Sequence, residues 1–311
     1  MTDSPALILT AGLGTRLRPL TEVRAKPAMP VAGEPLIRRI VGGLVSQGVT
    51  DIVLNLHHRP ETIAAAIGDG SDLGARVRYS WEQPAVLGAA GGPRQALSII
   101  GAETFFLCNG DTLTDVDLAA LDRAHQSTGA SVTIALVPNR QPNRYGGVLL
   151  DAERRYTGSV PRGRAEGSYH FIGVQVVAAS VFAPLPAGQP ADSIGGVYDA
   201  LITRQPGAIH GFVCDAAFWD VGTVADYWST SWSFAQAEGR PDITCGRRVR
   251  IDPTARVSRS IVWDDVEIAR DCVVDECVIT DGVRVPRGSS YRRTILLAAA
   301  DGAVRTAPLS L

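Results

Sequence analysis

Apolar and polar positions along the 311-residue chain follow two regimes. Over residues 6–129, short apolar runs alternate with stretches of helical period. Ala6–Thr10, Asp51–Leu56, Arg76–Ser80 and Thr104–Cys108 predict strands. Pro35–Gln47, Pro60–Ile67, Gly92–Ile99 and Val116–Gln126 predict helices. A βαβα rhythm of this kind implies a parallel sheet covered by helices on both faces. Runs at Ser131–Val137, Gly147–Leu150, Phe171–Val177 and Ile209–Val213 extend the sheet, with further helices at Ile194–Arg204 and Val224–Ala237.

After Gly239-Arg240-Pro241 the helical period disappears. Aliphatic residues then recur at Ile251, Val257, Val262, Ile268, Val274, Ile279 and Val285, in steps of five or six, with Asp, Gly and Arg between them. Near-hexad spacing predicts a parallel β-helix, six residues forming one face of a triangular coil; an ordinary β-meander is the alternative. Seven faces make about two coils, and repeat arrays need about three units or caps to bury their ends. The tail is therefore expected to pack on the rest of the chain or on a second copy, building a dimer. The expected division is 1–240 and 241–311.

Composition narrows the function classes. With 45% apolar and 20% charged residues the chain can bury a full core. A net charge of −2 argues against a nucleic-acid-binding surface, so any basic cluster is a local device. The five cysteines are scattered and lack metal-ligand spacing, which suits buried, reduced thiols. The first strand begins almost at once, and no apolar run approaches the roughly 20 residues that span a bilayer. A cytoplasmic protein without a membrane partner is expected.

One basic cluster is conspicuous. The stretch "AGLGTRLRPLTEVRAKPAMPV", residues 11–31, carries Arg16, Arg18, Arg24 and Lys26 against Glu22, on a segment that Pro19, Pro27 and Pro30 keep from forming a long helix. Gly12-Leu13-Gly14 lacks the third glycine of a dinucleotide fingerprint, and no Gly-Lys-Ser/Thr follows to make a Walker loop. What remains is a glycine-permitted turn at the carboxyl end of the first strand, where open parallel sheets bind ligands. Arginine forks and a lysine point charge suit a polyphosphate.

A polyphosphate brings a metal, so carboxylates at strand ends are the next candidates. Asn109-Gly110-Asp111 ends a buried strand on the same sheet edge, and Trp219-Asp220-Val221-Gly222 ends a second apolar run before a helix. Mg²⁺ takes one or two carboxylates with phosphate oxygens and water. The plainer alternatives are a simple Asn-Gly-Asp turn and Asp220 acting as the cap of the Val224 helix. Asp115 and Asp117 look like cap and surface residues, and the His57-His58 pair reads as solvated.

Residues 9–35 resemble the signature of sugar-1-phosphate nucleotidyltransferases (NDP-sugar pyrophosphorylases), which runs G-x-G-T-R-x-x-P-L-T, then K-P, then P-V-x-x-x-P. Leu87-Gly88-Ala89-Ala90-Gly91-Gly92 is similar to the family's base-binding turn, and Arg144-Tyr145-Gly146-Gly147-Val148 to its sugar-binding stretch. The resemblance covers about residues 6–235 and is closest to the mannose-1-phosphate guanylyltransferase branch. It implies an α/β fold with a Rossmann-like mixed sheet flanked by helices and a short C-terminal left-handed β-helix. It also implies transfer of a nucleotidyl group from an NTP to a sugar 1-phosphate, with Mg²⁺ as cofactor.

Carried over by resemblance, Ala11, Gly12, Gly14, Thr15 and Arg16 hold the triphosphate, and Glu82, Gln83 and Gly88 meet the base. Gly146, Arg162 and Gly173 meet the sugar phosphate, Arg16, Lys26 and Asp111 are catalytic, and Asp111 and Asp220 hold the metal. A departure stands at Pro161-Arg162-Gly163, where relatives carry E-K-P: the cation survives and the sugar-binding glutamate is gone, which opens the sugar's identity. Glu82 resembles the guanylyl branch because a carboxylate accepts from the guanine N–H and amino group, whereas Gln83 could pair with a pyrimidine. Two other classes are weighed. A silent regulatory paralogue would be expected to lose one of Arg16, Lys26, Asp111 or Asp220, and all are present. A C-terminal acyltransferase would use a histidine base, and all five histidines precede the tail.

Overall fold

Ala6–Leu9 (β1) shows no polar alternation because it has a strand on either side and is buried throughout its first three residues. In the computed structural model, which describes residues 4–240 and 242–311, β1 pairs in parallel with Asp51–Leu56 (β2) and with Thr104–Asn109 (β4). Leu7 stands opposite Val53 on one side and Leu107 on the other. Arg76–Trp81 (β3) pairs in parallel with β2. Helices α1 (Leu36–Ser46), α2 (Pro60–Ile67) and α3 (Gly88–Ile100) make the crossovers, and α3 packs against β1, β2 and β3.

Helix α3 starts four residues before the expected Gly92. No side chain caps it; instead the Ala90 and Gly91 amides donate to the Ala191 carbonyl, 2.8 and 3.2 Å away. A distant segment satisfies amides that local sequence leaves open.

The first four strands are parallel, as the βαβα rhythm implies, and the later strands make the sheet mixed, as the resemblance implies. Beyond α4 (Leu118–Thr128) come β5 (Val132–Pro138), β6 (Gly147–Leu150), β7 (Tyr156–Val160), β8 (Tyr169–Ala178), α5 (Tyr198–Arg204) and β9 (Ile209–Val213). Strand β8 runs antiparallel to both β4 and β5, β6 and β7 form an antiparallel pair, and only β9 rejoins in parallel, beside β5. The order is β7-β6-β8-β4-β1-β2-β3, with β5 branching from β8. The sheet is therefore mixed, because short antiparallel connections need no helical crossover. Its core gathers Leu7, Phe105, Leu107, Ile134, Phe182 and Tyr198.

Packing groups the chain into two units. The first runs to Leu13 and resumes over Arg38–Phe218; the second joins Gly14–Ile37 to Trp219–Leu311. Pro241, within the expected boundary, lies outside the described residues. The second unit thus holds the basic loop, helix α6 (Val224–Ala237) and the tail.

The tail is a parallel coil with three faces, not a meander. Ile243–Cys245, Ser260–Val262, Val278–Ile279 and Thr294–Ala298 stack on one face. Arg250–Ile251, Glu267–Ile268 and Arg284–Val285 stack on the second, and Arg256–Ser258, Val273–Asp275 and Ser290–Arg292 on the third. The coil is longer than the two turns read from spacing, because the Ile243 and Ile295 rungs lie outside the hexad series. Val304–Pro308 returns antiparallel on Thr294–Ala298 and supplies an end cap. Val262, Ile268, Val274, Ile279 and Val285 form the coil's interior, whereas Ile251 stays exposed.

Candidate active site

Strand β1 ends at the carboxyl edge of the first unit. Its successor Thr10 is fixed there: its amide donates to Asn55 Oδ1 at 2.6 Å and its hydroxyl to the Asn55 carbonyl. Ala11 is buried, and Gly12 is exposed, with nothing within 4 Å of the place where a Cβ would stand. Gly110 crosses the end of β1 so closely that a Cβ would lie 2.4 Å from the Leu9 carbonyl. Only glycine lets the chain turn there, and the turn sets the half-buried Asp111 beside the end of β1. Thr112 Oγ1 lies 3.3 Å from Asp111 Oδ1.

The sugar-side candidates share this unit. Gly146 lies against the stretch that leads into Arg162, a Cβ there being 3.1 Å from the Val160 carbonyl and 3.8 Å from the Arg162 amide. Gly173 has φ +80° and sits at the register shift of β8, within 3.2 Å of Asn109 Nδ2 and Thr112 Oγ1 measured from its would-be Cβ. It therefore borders the Asp111 turn, while Arg162 is exposed. Beside Gly146, the rings of Tyr145 and His170 lie 4.1 Å apart, and His170 and Phe218 lie 4.8 Å apart. Burial pushes the His170 imidazole down to about 4, against the bond to the Gly146 backbone, which favours its charged form.

The base-reading segment separates its two candidates. Glu82 is fully buried: Oε1 accepts from Asn55 Nδ2 and Oε2 from the Leu87 amide, each at 2.6 Å. A Cβ on Gly92 would come 2.5 Å from that same Oε1. Both carboxylate oxygens brace the turn between β3 and α3, so Glu82 is oriented away from the open side on which Gln83 is exposed. Gly88 takes φ +76° against the Ala191 carbonyl. His57, expected to be solvated, is half-buried with Nδ1 2.8 Å from the Glu82 carbonyl.

In the second unit, Gly14 at φ +60° brings the loop back on itself. Its carbonyl accepts from Thr21 Oγ1 at 3.0 Å, and its would-be Cβ lies 3.5 Å from Lys26 Cβ. Thr15 and Arg16 are exposed and Lys26 is half-buried. Asp220 is not the helix cap. Thr223 caps α6, accepting from the Asp226 amide at 3.2 Å while Asp226 Oδ2 accepts from the Thr223 amide at 2.8 Å. Around Gly222 three side chains converge: a Cβ there would lie 3.1 Å from Asp226 Oδ2, 3.2 Å from Asp220 Oδ2 and 3.5 Å from Arg16 Nη2.

Asp226 was not singled out from the sequence, although the Thr-x-x-Asp capping pattern marks it. Asp115 and Asp117 have the modest roles expected of them, bonding the Ala217 and Ala120 amides.

Among the described residues, no group of three or more His, Cys, Asp or Glu side chains could hold a metal ion. Mg²⁺ does not require such a cage, since phosphate oxygens and water complete its shell, and hard carboxylate oxygens such as those of Asp111 and Asp220 suit it.

The model of the nucleotidyl transferase family matches residues 5–236. The chain belongs to the nucleotidyl transferase family. A GlmU-like C-terminal hexapeptide model matches residues 243–291, the coil. The family member at hand is 30% identical to the mannose-1-phosphate guanylyltransferase of Mycobacterium tuberculosis, over 93% of this chain and 83% of that protein. It is 36% identical to the N-acetylmuramate alpha-1-phosphate uridylyltransferase of Neisseria meningitidis, over 60% of this chain and 80% of the relative. HddC from Yersinia pseudotuberculosis shares the fold, with a TM-score of 0.65 at 24% identity over 74% of this chain and 99% of that one.

Proposed function

We propose that this nucleotidyltransferase moves a guanylyl group from GTP to a mannose-type sugar 1-phosphate, releasing pyrophosphate. The convergence of Arg16 and Asp220 around Gly222 carries the reading, because it sets a cation that can bind phosphate beside a carboxylate that can hold a metal. Similarity to a guanylyltransferase over 93% of the chain supports the choice of base and sugar.

In this reaction an oxygen of the sugar phosphate attacks the α-phosphorus in line. The new P–O bond forms as the α–β bridge breaks, and pyrophosphate leaves with the bonding pair. The attacking oxygen is already anionic, so positioning and charge neutralisation matter more than a general base. The Gly12 and Gly14 amides and Arg16 hold the triphosphate, and Arg16 stabilises the departing pyrophosphate. Lys26 answers the charge that gathers at the reacting centre. Arg162 meets the sugar phosphate, together with Gly146 and Gly173. Asp111 and Asp220 would hold Mg²⁺, which when bound neutralises phosphate oxygens.

A uridylyl or thymidylyl transfer is the second reading. It is favoured by the exposure of Gln83 beside a Glu82 whose oxygens are both engaged. Pyrophosphate release over a matrix of NTPs and sugar 1-phosphates decides between them. A clear preference for UTP or dTTP overturns guanylyl transfer, and no release with any pair overturns the reaction.

A further inference from the structure

The loop that carries Arg16 and Lys26 has little regular structure of its own. Between Gly14 and Met29 it makes only three single turns, Thr15–Leu17, Leu20–Glu22 and Lys26–Ala28. Such a segment cannot hold two charged side chains in place by backbone ladder alone. Its position must come from tertiary contacts.

Arg24 supplies the most specific of them. Its Nε donates to Asp281 Oδ2 at 2.6 Å, and its Nη2 donates to Asp281 Oδ1 and Asp264 Oδ2, each at 2.7 Å. The guanidinium carbon stands 5.5 Å from the centre of the Trp263 ring, and the side chain is 13% exposed. Asp264 and Asp281 are 17 residues apart, one coil of the β-helix, and are stacked so that the Asp264 amide donates to Asp281 Oδ1 at 3.1 Å.

Two stacked, half-buried carboxylates repel one another unless a cation joins them. Here that cation comes from the loop, more than 200 residues away in sequence. A planar guanidinium serves both at once, which a lysine point charge does not.

A second tie runs in parallel. Buried Trp263 donates from Nε1 to Tyr227 Oη at 2.9 Å, and Tyr227 donates to the Pro30 carbonyl at 2.7 Å. Tyr227 lies on α6, directly after the Asp220–Thr223 segment. Two further contacts, Arg305 to Glu22 at 2.7 Å and Arg240 Nη2 to the Ala32 carbonyl at 2.7 Å, secure the loop's flanks. Arg24 is the contact nearest the chemistry, two residues before Lys26.

We propose that Arg24, latched by Asp264 and Asp281, is a positioning residue through which the β-helix fixes the phosphate-handling loop. The coil is then part of the support of the active site. This inference rests on the reading that Arg16 and Lys26 act on the triphosphate.

The test compares Arg24→Ala, Arg24→Lys and the neutral set Arg24→Gln/Asp264→Asn/Asp281→Asn in the full chain. The neutral set avoids leaving two buried carboxylates uncompensated, and circular dichroism confirms that each variant folds. Since ~1 Å of misplacement can cost about 100-fold in rate, the folded neutral set is expected to lose about tenfold or more in kcat and to raise KM for the NTP. KM for the sugar 1-phosphate should stay near the wild-type value, and Arg24→Lys should recover part of kcat. Wild-type kcat and NTP KM in the folded neutral set would overturn the latch, as would equal changes in both KM values. Lys26→Ala and Arg16→Ala are the controls: if they too keep wild-type rates, the reading of the loop fails, whereas if they alone lose activity, only the latch does.

Discussion

The carboxyl edge of the sheet and the basic loop are two ways of holding a charged group. Asp111 sits where β4 runs out beside β1, and its place follows from a parallel ladder and a glycine that no larger residue could replace. Arg16 and Lys26 sit on a chain of single turns whose place is set by a coil beginning some 200 residues later. The first kind of position is made by neighbours in the pattern, and the second by partners that no local pattern names. A substitution remote from the sheet edge should spare Asp111, whereas one remote from the loop can still displace it.

The largest effect should come from the carboxylates themselves. Asp111→Asn and Asp220→Asn are each expected to lower turnover by about 100-fold or more, comparable to removing one electrostatic stabiliser, with the fold intact by circular dichroism. A folded variant with near-normal rate would take that residue out of the site. If both fail together, the two regions contribute jointly, and a loss in only one would show which of them carries the metal.

Removing residues after Gly239 should come next. Deletion strips Arg24 of Asp264 and Asp281 and Tyr227 of Trp263, and exposes to solvent the side chains that these residues cover. The melting temperature is expected to fall sharply. Light scattering on the full chain and on the truncated one tests the further proposal that the tail joins two copies. An unchanged melting temperature and oligomeric state would contradict both roles of the tail.

Adjacent Glu82 and Gln83 sharpen the contrast between buried and exposed positions. Glu82→Gln replaces one acceptor with a donor facing the Leu87 amide or Asn55, which should destabilise the protein by about 1–3 kcal/mol in urea titration. Gln83→Ala should leave stability unchanged and shift the ratio of kcat/KM between GTP and UTP. If the stability changes are reversed, Glu82 is not the brace of the turn.

A further effect concerns pH. Burial lowers the His170 pKa from 6.5 to about 4, so in this range the unfolded chain binds a proton that the folded one refuses. Stability present above pH 6.5 should therefore be lost progressively as the pH falls towards 4. Urea denaturation across this window should show the decline, and His170→Gln should make it shallower.

Much of this arrangement was legible beforehand, for identifiable reasons. The strands Asp51–Leu56, Gly147–Leu150 and Ile209–Val213 and the helices Pro60–Ile67 and Val224–Ala237 have the limits that their periodicity implies. Strong amphipathic or apolar runs between breakers leave the backbone few alternatives. Direction was harder to read. Nothing in the apolar run of β8 says that it lies antiparallel between β4 and β5, because a buried strand shows the same residues either way.

By itself, then, the sequence determined the order of elements, the coil repeat, the glycines at Gly14 and Gly110, and which charged side chains were available at the ends of strands. These are local properties, written in period, turn chemistry and residue type. Only the tertiary structure decided that Glu82 turns inward while Gln83 faces out, that Asp226 joins Asp220 and Arg16, and that Arg24 belongs to the coil. Each of those outcomes depends on which distant carboxylate, amide or ring meets a given side chain. Pairing across a long separation in sequence is chosen by the packing of the whole unit, since a buried charge is tolerated only where that packing brings it a partner.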